Sequence, residues 1–382
     1  MKRVLKRLVV RFPIPPRSQQ RGQRTPFAAW KRKARGHSRP LVKNRAIAII
    51  EDGDGSDKFA FMKLMENTDA EILARSLIQE AYEKLKETNP EEALGKLEQA
   101  LRADYTQREA LYALKCLNWW LDRIKNLDNA GGACDPYSRG SFLLSQWKSY
   151  YSFLERVGRA YDRCQYAIKH FVYSLALQNY EDALADGILR HDPELLERIG
   201  RCYKGIGCYE EALNYIKQAA RFKQEDAATV SILADIYALL GDTKAAKALF
   251  REAFFIDPQR VDLDNLESGL IISLVKRVSE MGYSGAELQE WLPVYGALLG
   301  VFTVKRELKL AELGRLKQRI FDLESKLRGS PKEENILTPS LLNKYLRLID
   351  HYEGKDNSGA LIDEIKLKIK IIKPLIFERY MC

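Results

Sequence analysis

Residues 197–219 read ERIGRCYKGIGCYEEALNYIKQA, and residues 231–253 read SILADIYALLGDTKAAKALFREA. Laid over each other at a shift of 34 positions, these stretches and their flanks agree in residue size. Leu196 meets Val230, Ile199 meets Leu233, Gly200 meets Ala234 and Tyr203 meets Tyr237; further on Gly207 meets Gly241, Ala212 meets Ala246, Ile216 meets Phe250 and Ala219 meets Ala253. A period of about 34 with small residues at fixed places marks a stacked helix-turn-helix unit. Two antiparallel helices approach closely only where neither carries a bulky side chain. Gly200, Ala212 and Ala219 therefore set the crossing, while Tyr203, Leu213 and Ile216 fill the groove between the helices.

The register also decides what the chemically suggestive residues do. Cys202 falls where the second copy has Ile236, so it reads as a buried apolar filler; Cys208 falls where Asp242 stands, in the turn beside Gly207, so it reads as exposed. That placement separates the two thiols and argues against a redox pair. Gly205 aligns with Leu239 and carries no required backbone role in this reading. Gly200-x4-Gly205 lacks the Lys-Ser/Thr that reaches phosphates, and Gly205-Ile-Gly207 follows a helix rather than a strand, so neither a P-loop nor a dinucleotide site is supported. His170, His191 and His351 have no nucleophile or paired carboxylate at a fixed local distance. No enzyme class, cofactor or metal is indicated.

The pattern resembles the tetratricopeptide repeat, W-x2-L-G-x2-Y…A-x3-F…P. It is readable as Leu196-x2-Ile199-Gly200-x2-Tyr203…Ala212-x3-Ile216 and again as Val230-x2-Leu233-Ala234-x2-Tyr237…Ala246-x3-Phe250…Pro258. The first copy has Gln224 in place of the proline, and neither has the tryptophan. The whole sequence is also similar to a group of bacterial tetratricopeptide proteins with a helical tail, which adds no activity. The resemblance implies an all-α fold, a right-handed superhelical array of antiparallel helix pairs (a TPR-like α-solenoid) with a helical C-terminal extension. Its packing positions are Gly200, Tyr203, Ala212, Ala219, Ala234, Tyr237, Ala246, Phe250, Ala253 and Pro258.

Such an array curves, and the first helices of successive units line its concave face. Here that face is drawn from Glu194, Glu197, Arg198, Arg201 and Lys204, then Ala228, Ser231, Asp235 and Ala238. These are the candidate peptide-binding residues of a non-catalytic adaptor with a protein or peptide partner. Glu194 with Arg198 and Glu197 with Arg201 are also spaced as simple i,i+4 ion pairs. Some relatives hold a peptide's terminal carboxylate with a Lys and an Asn one turn apart; Glu197 and Arg201 stand there instead, which argues against that mode.

Outward from the pair the pattern loosens. Residues 89–104 read as a second helix, with Ala93, Leu97 and Ala100 matching Ala212, Ile216 and Ala219, and residues 70–86 as its first helix, with Ala81 in the place of Gly200. YEDAL at 180–184 repeats YEEAL at 209–213 and suggests an irregular unit ahead of the pair. Residues 107–178 are helical but off-pattern, interrupted by a loop at 129–140 and dense in aromatics, among them Trp119, Trp120, Trp147, Tyr150 and Tyr151. Exposed, these rings line a peptide groove or stack bases; buried, they pack a core.

Beyond Pro258, Ser284 and Glu287 form a capping-box signature. Leu313, Leu316, Ile320, Leu323 and Leu327 form a stripe on a helix ending at Gly329, and residues 339–353 and 359–378 read as a closing helix pair. EIKLKIKIIK alternates as a strand would, but its helical company favours helix. The expected organisation is an arm at 1–61, irregular repeats at 62–192, two regular units at 193–260 and a helical cap at 261–382.

The net charge of +10 is local: residues 1–45 hold 15 Lys/Arg and no acid, leaving 47 Lys/Arg against 52 Asp/Glu in the rest. With five prolines and a polar composition, this arm reads as disordered. It suits a phosphate-binding tail for nucleic acid or an anionic membrane, a solvated extension, or a segment outside the working protein, since Met62 and Met65 stand just ahead of the first helical pattern. The alternative function is accordingly RNA or DNA binding through residues 1–45 aided by the aromatic middle; a weaker one is a peripheral membrane anchor through residues 1–12. EDGDGSD at 51–57 reads as an acidic hinge and not a calcium loop, because Gly55 comes too early and Lys63 stands where the bidentate Glu belongs. The apolar runs are far shorter than the roughly 18 residues a span needs. Scattered cysteines suit a reducing cytoplasm, and Arg7, Arg11 and three prolines interrupt what a secretory leader requires.

Overall fold

A computed structural model describes residues 55–381, apart from 130–134, 159, 186–191, 224, 305, 330–332, 354 and 356–357. The readings of residues 1–54, as nucleic-acid tail, membrane anchor or solvated arm, lie outside the described residues. Those that are described form an all-α chain without strands. In order the helices are α1 (Gly55–Lys86), α2 (Pro90–Ala103), α3 (Arg108–Asn129), α4 (Pro136–Ser145), α5 (Trp147–Val157), α6 (Asp162–Ala185), α7 (Pro193–Ile206) and α8 (Tyr209–Phe222). They continue with α9 (Ala227–Leu239), α10 (Thr243–Ile256), α11 (Gly269–Ser279), α12 (Gly285–Leu298), α13 (Leu310–Gly329), α14 (Glu334–Tyr352), α15 (Gly359–Ile372) and α16 (Pro374–Met381). The chain divides into two compact units: α1–α3, α5 and α6 as far as Phe171 in one, α4, the rest of α6 and everything after it in the other.

In the first unit, α1 and α2 pair through small and apolar residues. Ala74, Ile78, Ala81, Tyr82 and Leu85 are buried on α1, and Ala93, Leu97 and Ala100 on α2. Helix α1 begins at Gly55 rather than near residue 70, so the last residues of the expected hinge are already helical. From Ser56 to Lys86 the sequence contains neither glycine nor proline, and the helix runs unbroken until the turn at Glu87 and Thr88, where Thr88 takes φ 58°. The aromatic middle is largely core. Trp120, Tyr150 and Phe171 are buried, and Trp120 meets Trp119, Trp147 and Tyr150 at ring-centroid distances of 5.0, 5.1 and 5.3 Å. Tyr151 and Tyr166 remain exposed.

Two expectations are corrected here. The loop read over 129–140 ends early, because Asp135 accepts the Ser138 amide at 3.0 Å and its hydroxyl at 2.6 Å, and Pro136 opens α4. YEDAL does not open a second helix: it lies in the closing turns of the continuous α6, with Tyr180 and Ala183 buried. YEEAL is preceded by the turn residues Gly207 and Cys208, whereas YEDAL is preceded by Gln178 and Asn179, and Asn179 bonds back to the Leu175 carbonyl at 2.8 Å within the helix.

In the second unit, α7/α8 and α9/α10 are two turns of one repeat. Asp192, Asp226 and Asp242 cap α7, α9 and α10 through their side chains. The inter-helix turns are superimposable in their bonding. Gly207 and Gly241 take φ of 89° and 87°, a left-handed conformation that glycine adopts without steric cost. Cys208 N bonds Tyr203 O and Asp242 N bonds Tyr237 O, each at 2.9 Å. Ala212, Ile216, Ala219, Ala234, Ala246, Phe250 and Ala253 are fully buried, Pro258 is buried, and Tyr203 and Tyr237 are half-buried. A Cβ on Gly200 would lie 2.6 Å from the tip of Ile216. Cys202 is buried and Cys208 exposed, as the register requires. Gly205 differs from its reading. It is buried, and a Cβ there would stand 2.4 Å from the Tyr173 ring, so the missing side chain is what lets α6 approach α7.

The remaining helices share a core with α9 and α10, drawn from Phe250, Phe254, Trp291, Leu292, Leu341, Tyr345 and Ile349 among others. On α13, Leu316 and Ile320 are buried, with Leu313, Leu323 and Leu327 packed against the same core. Ser284 precedes α12, but its side chain makes no capping bond, and the chain enters through Gly285 at φ 54°. The expected single helix 359–378 is broken at Lys373, because Pro374 has no N–H to continue the ladder.

Candidate functional site

The residues read as a concave face occupy successive first helices, but the structure closes part of that face with its own chain. After α10, residues 257–268 run as two short 3-10 turns, Pro258–Arg260 and Leu263–Asn265, with Val261 and Leu266 buried. This segment brings polar atoms onto α7 and α9. Lys204 Nζ donates to Asp235 Oδ2 at 2.6 Å and to the Asn265 carbonyl at 2.5 Å. Asp235 also accepts the Glu267 amide at 2.9 Å and the Ser268 amide at 2.8 Å, just ahead of α11. Lys204 is 5% exposed and Asp235 0%, so every strong contact they make is internal.

A second knot lies one turn away. Glu197 accepts from Arg201 at 3.0 Å, Lys223 at 3.0 Å and the Thr229 hydroxyl at 2.7 Å. Arg201 reaches on to Asp262 at 3.3 Å, and Asn265 donates to the same carboxylate at 2.6 Å. Arg260 pairs with Asp226 at 2.6 Å. Of the residues expected on a free groove, Glu197, Lys204, Ser231 and Asp235 are buried, Arg198, Arg201, Ala228 and Ala238 are half-buried, and Glu194 is exposed. The burial has a local cause: Lys204 and Asp235 face each other across successive repeats, and the 257–268 segment fills the space they border. The ion pairs Glu194–Arg198 and Glu197–Arg201 both form, at 3.4 and 3.0 Å.

Burial disfavours the ionised Glu197 carboxylate, but Arg201, the Thr229 hydroxyl and Lys223 outweigh it and hold the group below its ordinary 4.5. A carboxyl depressed in the folded state stabilises the fold above its unfolded value, and that contribution disappears as pH falls through the folded value. Urea unfolding midpoints of the wild type and Glu197→Gln are therefore expected to differ at pH near 6 and to converge as pH drops below about 4. A difference that stays constant over this range would show that the Glu197 charge does not pin the segment.

One open cleft lies in the first unit. About 380 Å³ in volume, it is lined by Arg75 and Ile78 of α1, Gln107, Arg108 and Glu109 at the start of α3, and Tyr161 and Arg163 at the start of α6. Arg75 is paired with Glu71 and Arg163 with Gln79. Tyr82 donates to Glu109 at 3.0 Å. Arg108 is exposed and has no hydrogen-bond or ion-pair partner among the described residues. Three arginines face the cleft, against Glu109 in its lining and Glu71 paired with Arg75, which leaves the cleft with a net positive charge although the body of the chain is mildly acidic. Sequence reasoning did not single these residues out, because they are isolated cations on three helices that only the fold brings together.

No helix among the described residues is long and apolar enough to cross a membrane. No curated protein matches the chain. A family model described as tetratricopeptide repeat matches residues 231–260. That match spans most of α9, all of α10 and the Pro258 turn, the second copy of a unit whose caps, glycine turns and buried alanines recur in α7/α8. The chain thus carries a tetratricopeptide repeat at residues 231–260, and α7/α8 repeats its geometry.

Proposed function

We propose that the protein is a non-catalytic adaptor that binds a protein partner, and that an acidic segment of the partner enters the cleft between α1 and α3. Helical repeats are interaction modules whose first helices offer a concave face. The observation that carries the reading is the convergence of Arg75, Arg108 and Arg163 on an open cleft, while the corresponding face of α7 and α9 is occupied by residues 257–268. Arginine presents a planar fork of donors that matches carboxylates. The alternative, nucleic-acid binding, draws on an arm outside the described residues, and several of the rings it needs for stacking, Trp120 and Tyr150 among them, lie in the core.

The test is selection of a displayed random-peptide library on the full chain, followed by titration of the enriched peptides. Enrichment of Asp/Glu-rich peptides is expected, with affinity falling at least about tenfold, or ~1.4 kcal/mol, in Arg108→Glu and weakening as salt is raised. Peptides that bind Arg108→Glu and wild type equally would place the interaction elsewhere.

A further inference from the structure

The alternating stretch EIKLKIKIIK folds as helix, in α15, and a period of two on a helix makes it apolar on two faces. Residues two apart on an α-helix point roughly 200° from one another. Ile365 and Ile369 accordingly enter the core shared with α9 and α10, while Leu367 and Ile371, each two positions further on, turn outward. They are 57% and 73% exposed and, four residues apart, share one face. Leu375, the second residue of α16, is 67% exposed beyond the break at Lys373. Neither helix is a loose end, since Ile376 is buried and Ile362, Ile372 and Phe377 pack against the same core. A docked helix that keeps large aliphatic side chains on its solvent face as well has a second surface to cover.

Charge selects what covers it. Residues 365–377 contain Lys366, Lys368, Lys370 and Lys373 and no Asp or Glu, although the chain beyond residue 45 is mildly acidic. Lys368 is taken by Glu324 and Glu364, at 3.2 and 3.6 Å. Lys366 and Lys373 have no ion-pair partner among the described residues, and Lys370 lies 5.5 Å from the centroid of the Phe377 ring. A second copy of the chain, packed through the same face, would set these lysines against each other. A purely apolar groove would leave the ammonium groups without counter-charge. A bilayer with anionic lipid meets both needs: acyl chains take the aliphatic tips, and the lysine stems carry their ammonium groups to the headgroup phosphates.

We propose that the outer face of α15 and the start of α16 dock on an anionic membrane surface. Leu367, Ile371 and Leu375 enter the interface, and Lys366, Lys370 and Lys373 hold lipid phosphates. The helices lie on the bilayer and do not span it. This surface is in the second unit and does not depend on the adaptor reading, whose cleft is in the first.

Residues 1–45, with 15 Lys/Arg, can attract anionic vesicles by charge alone, so total binding is not the readout. The experiment instead acetylates the lysines of the full chain briefly and maps them by peptide mass spectrometry. It is run without vesicles, with phosphatidylcholine vesicles and with mixed phosphatidylcholine–phosphatidylserine vesicles. Labelling of Lys370 and Lys373 is expected to fall at least about fivefold with the mixed vesicles and to stay unchanged with phosphatidylcholine alone. In Leu367→Ser/Ile371→Ser, which alters only outward side chains, that protection should be lost even where the vesicles still attach. Equal labelling of Lys370 and Lys373 with and without mixed vesicles would overturn the proposal, as would protection that survives in the double variant. Protection by soluble polyglutamate as strong as that by the mixed vesicles would assign the face to an acidic protein and overturn it too.

Discussion

Asp235→Ala should lower the unfolding free energy of the repeat-containing unit by about 3–5 kcal/mol at neutral pH, the cost of leaving one member of a buried charge pair behind. The size follows from what the fully buried Asp235 holds: the Lys204 ammonium at 2.6 Å and the Glu267 and Ser268 amides at 2.9 and 2.8 Å. Truncation strands a buried cation and two backbone donors together. An exposed pair such as Lys276–Glu280, 4.0 Å apart with both side chains in solvent, contributes roughly 0–1 kcal/mol and makes a suitable control. The double variant Lys204→Met/Asp235→Leu should cost much less than the sum of its single changes, because the charge to be compensated is gone. Guanidinium unfolding of the four proteins checks both points. A loss under about 1 kcal/mol for Asp235→Ala would mean that water reaches the pair and the segment does not seal it.

Phe250→Ala is expected to cost about 3–5 kcal/mol, since a fully buried aromatic leaves both a lost transfer energy and a cavity. Phe250 occupies the register position of Ile216 but joins a larger core, with Phe254, Trp291 and Leu341, so the repeat and the C-terminal helices are expected to weaken together. Ile216→Val, one methylene at the equivalent position of the first copy, should cost about 0.5–1.5 kcal/mol. Phe222→Ala, at a ring 58% exposed, should fall within about 0.5 kcal/mol of wild type. Thermal and denaturant unfolding of these variants orders them. Equal losses for Phe250→Ala and Phe222→Ala would contradict the assigned register.

The helix pairs were legible because their signals are local. Glycines in the inter-helix turns and alanines at helix crossings act within one period, so comparing two copies exposes them. Long-range events were not legible. Nothing in the residues 257–268 announces that Glu267 and Ser268 will donate to a carboxylate some thirty positions earlier. Lys204 and Asp235 look like solvated charges until the segment that buries them is in place. The same limit hid the close approach at Gly205, whose partner Tyr173 belongs to an off-pattern helix, and the cationic cleft, whose arginines come from three helices. YEDAL shows the opposite failure: a local match without the preceding turn residues left one continuous helix.

Residues 257–268 close the inner face of the repeat pair, and the proposed adaptor function accordingly rests on the cleft of the other unit. Hydrogen–deuterium exchange of the full chain at single-amide resolution tests that closure most directly, at the Glu267 and Ser268 amides. Bonded to a sealed Asp235, they should exchange as slowly as the amides of α9 and α10, and Asp235→Ala should release them selectively. Rapid exchange at both positions in the wild type, with α9 and α10 still protected, would show an open face and contradict the account.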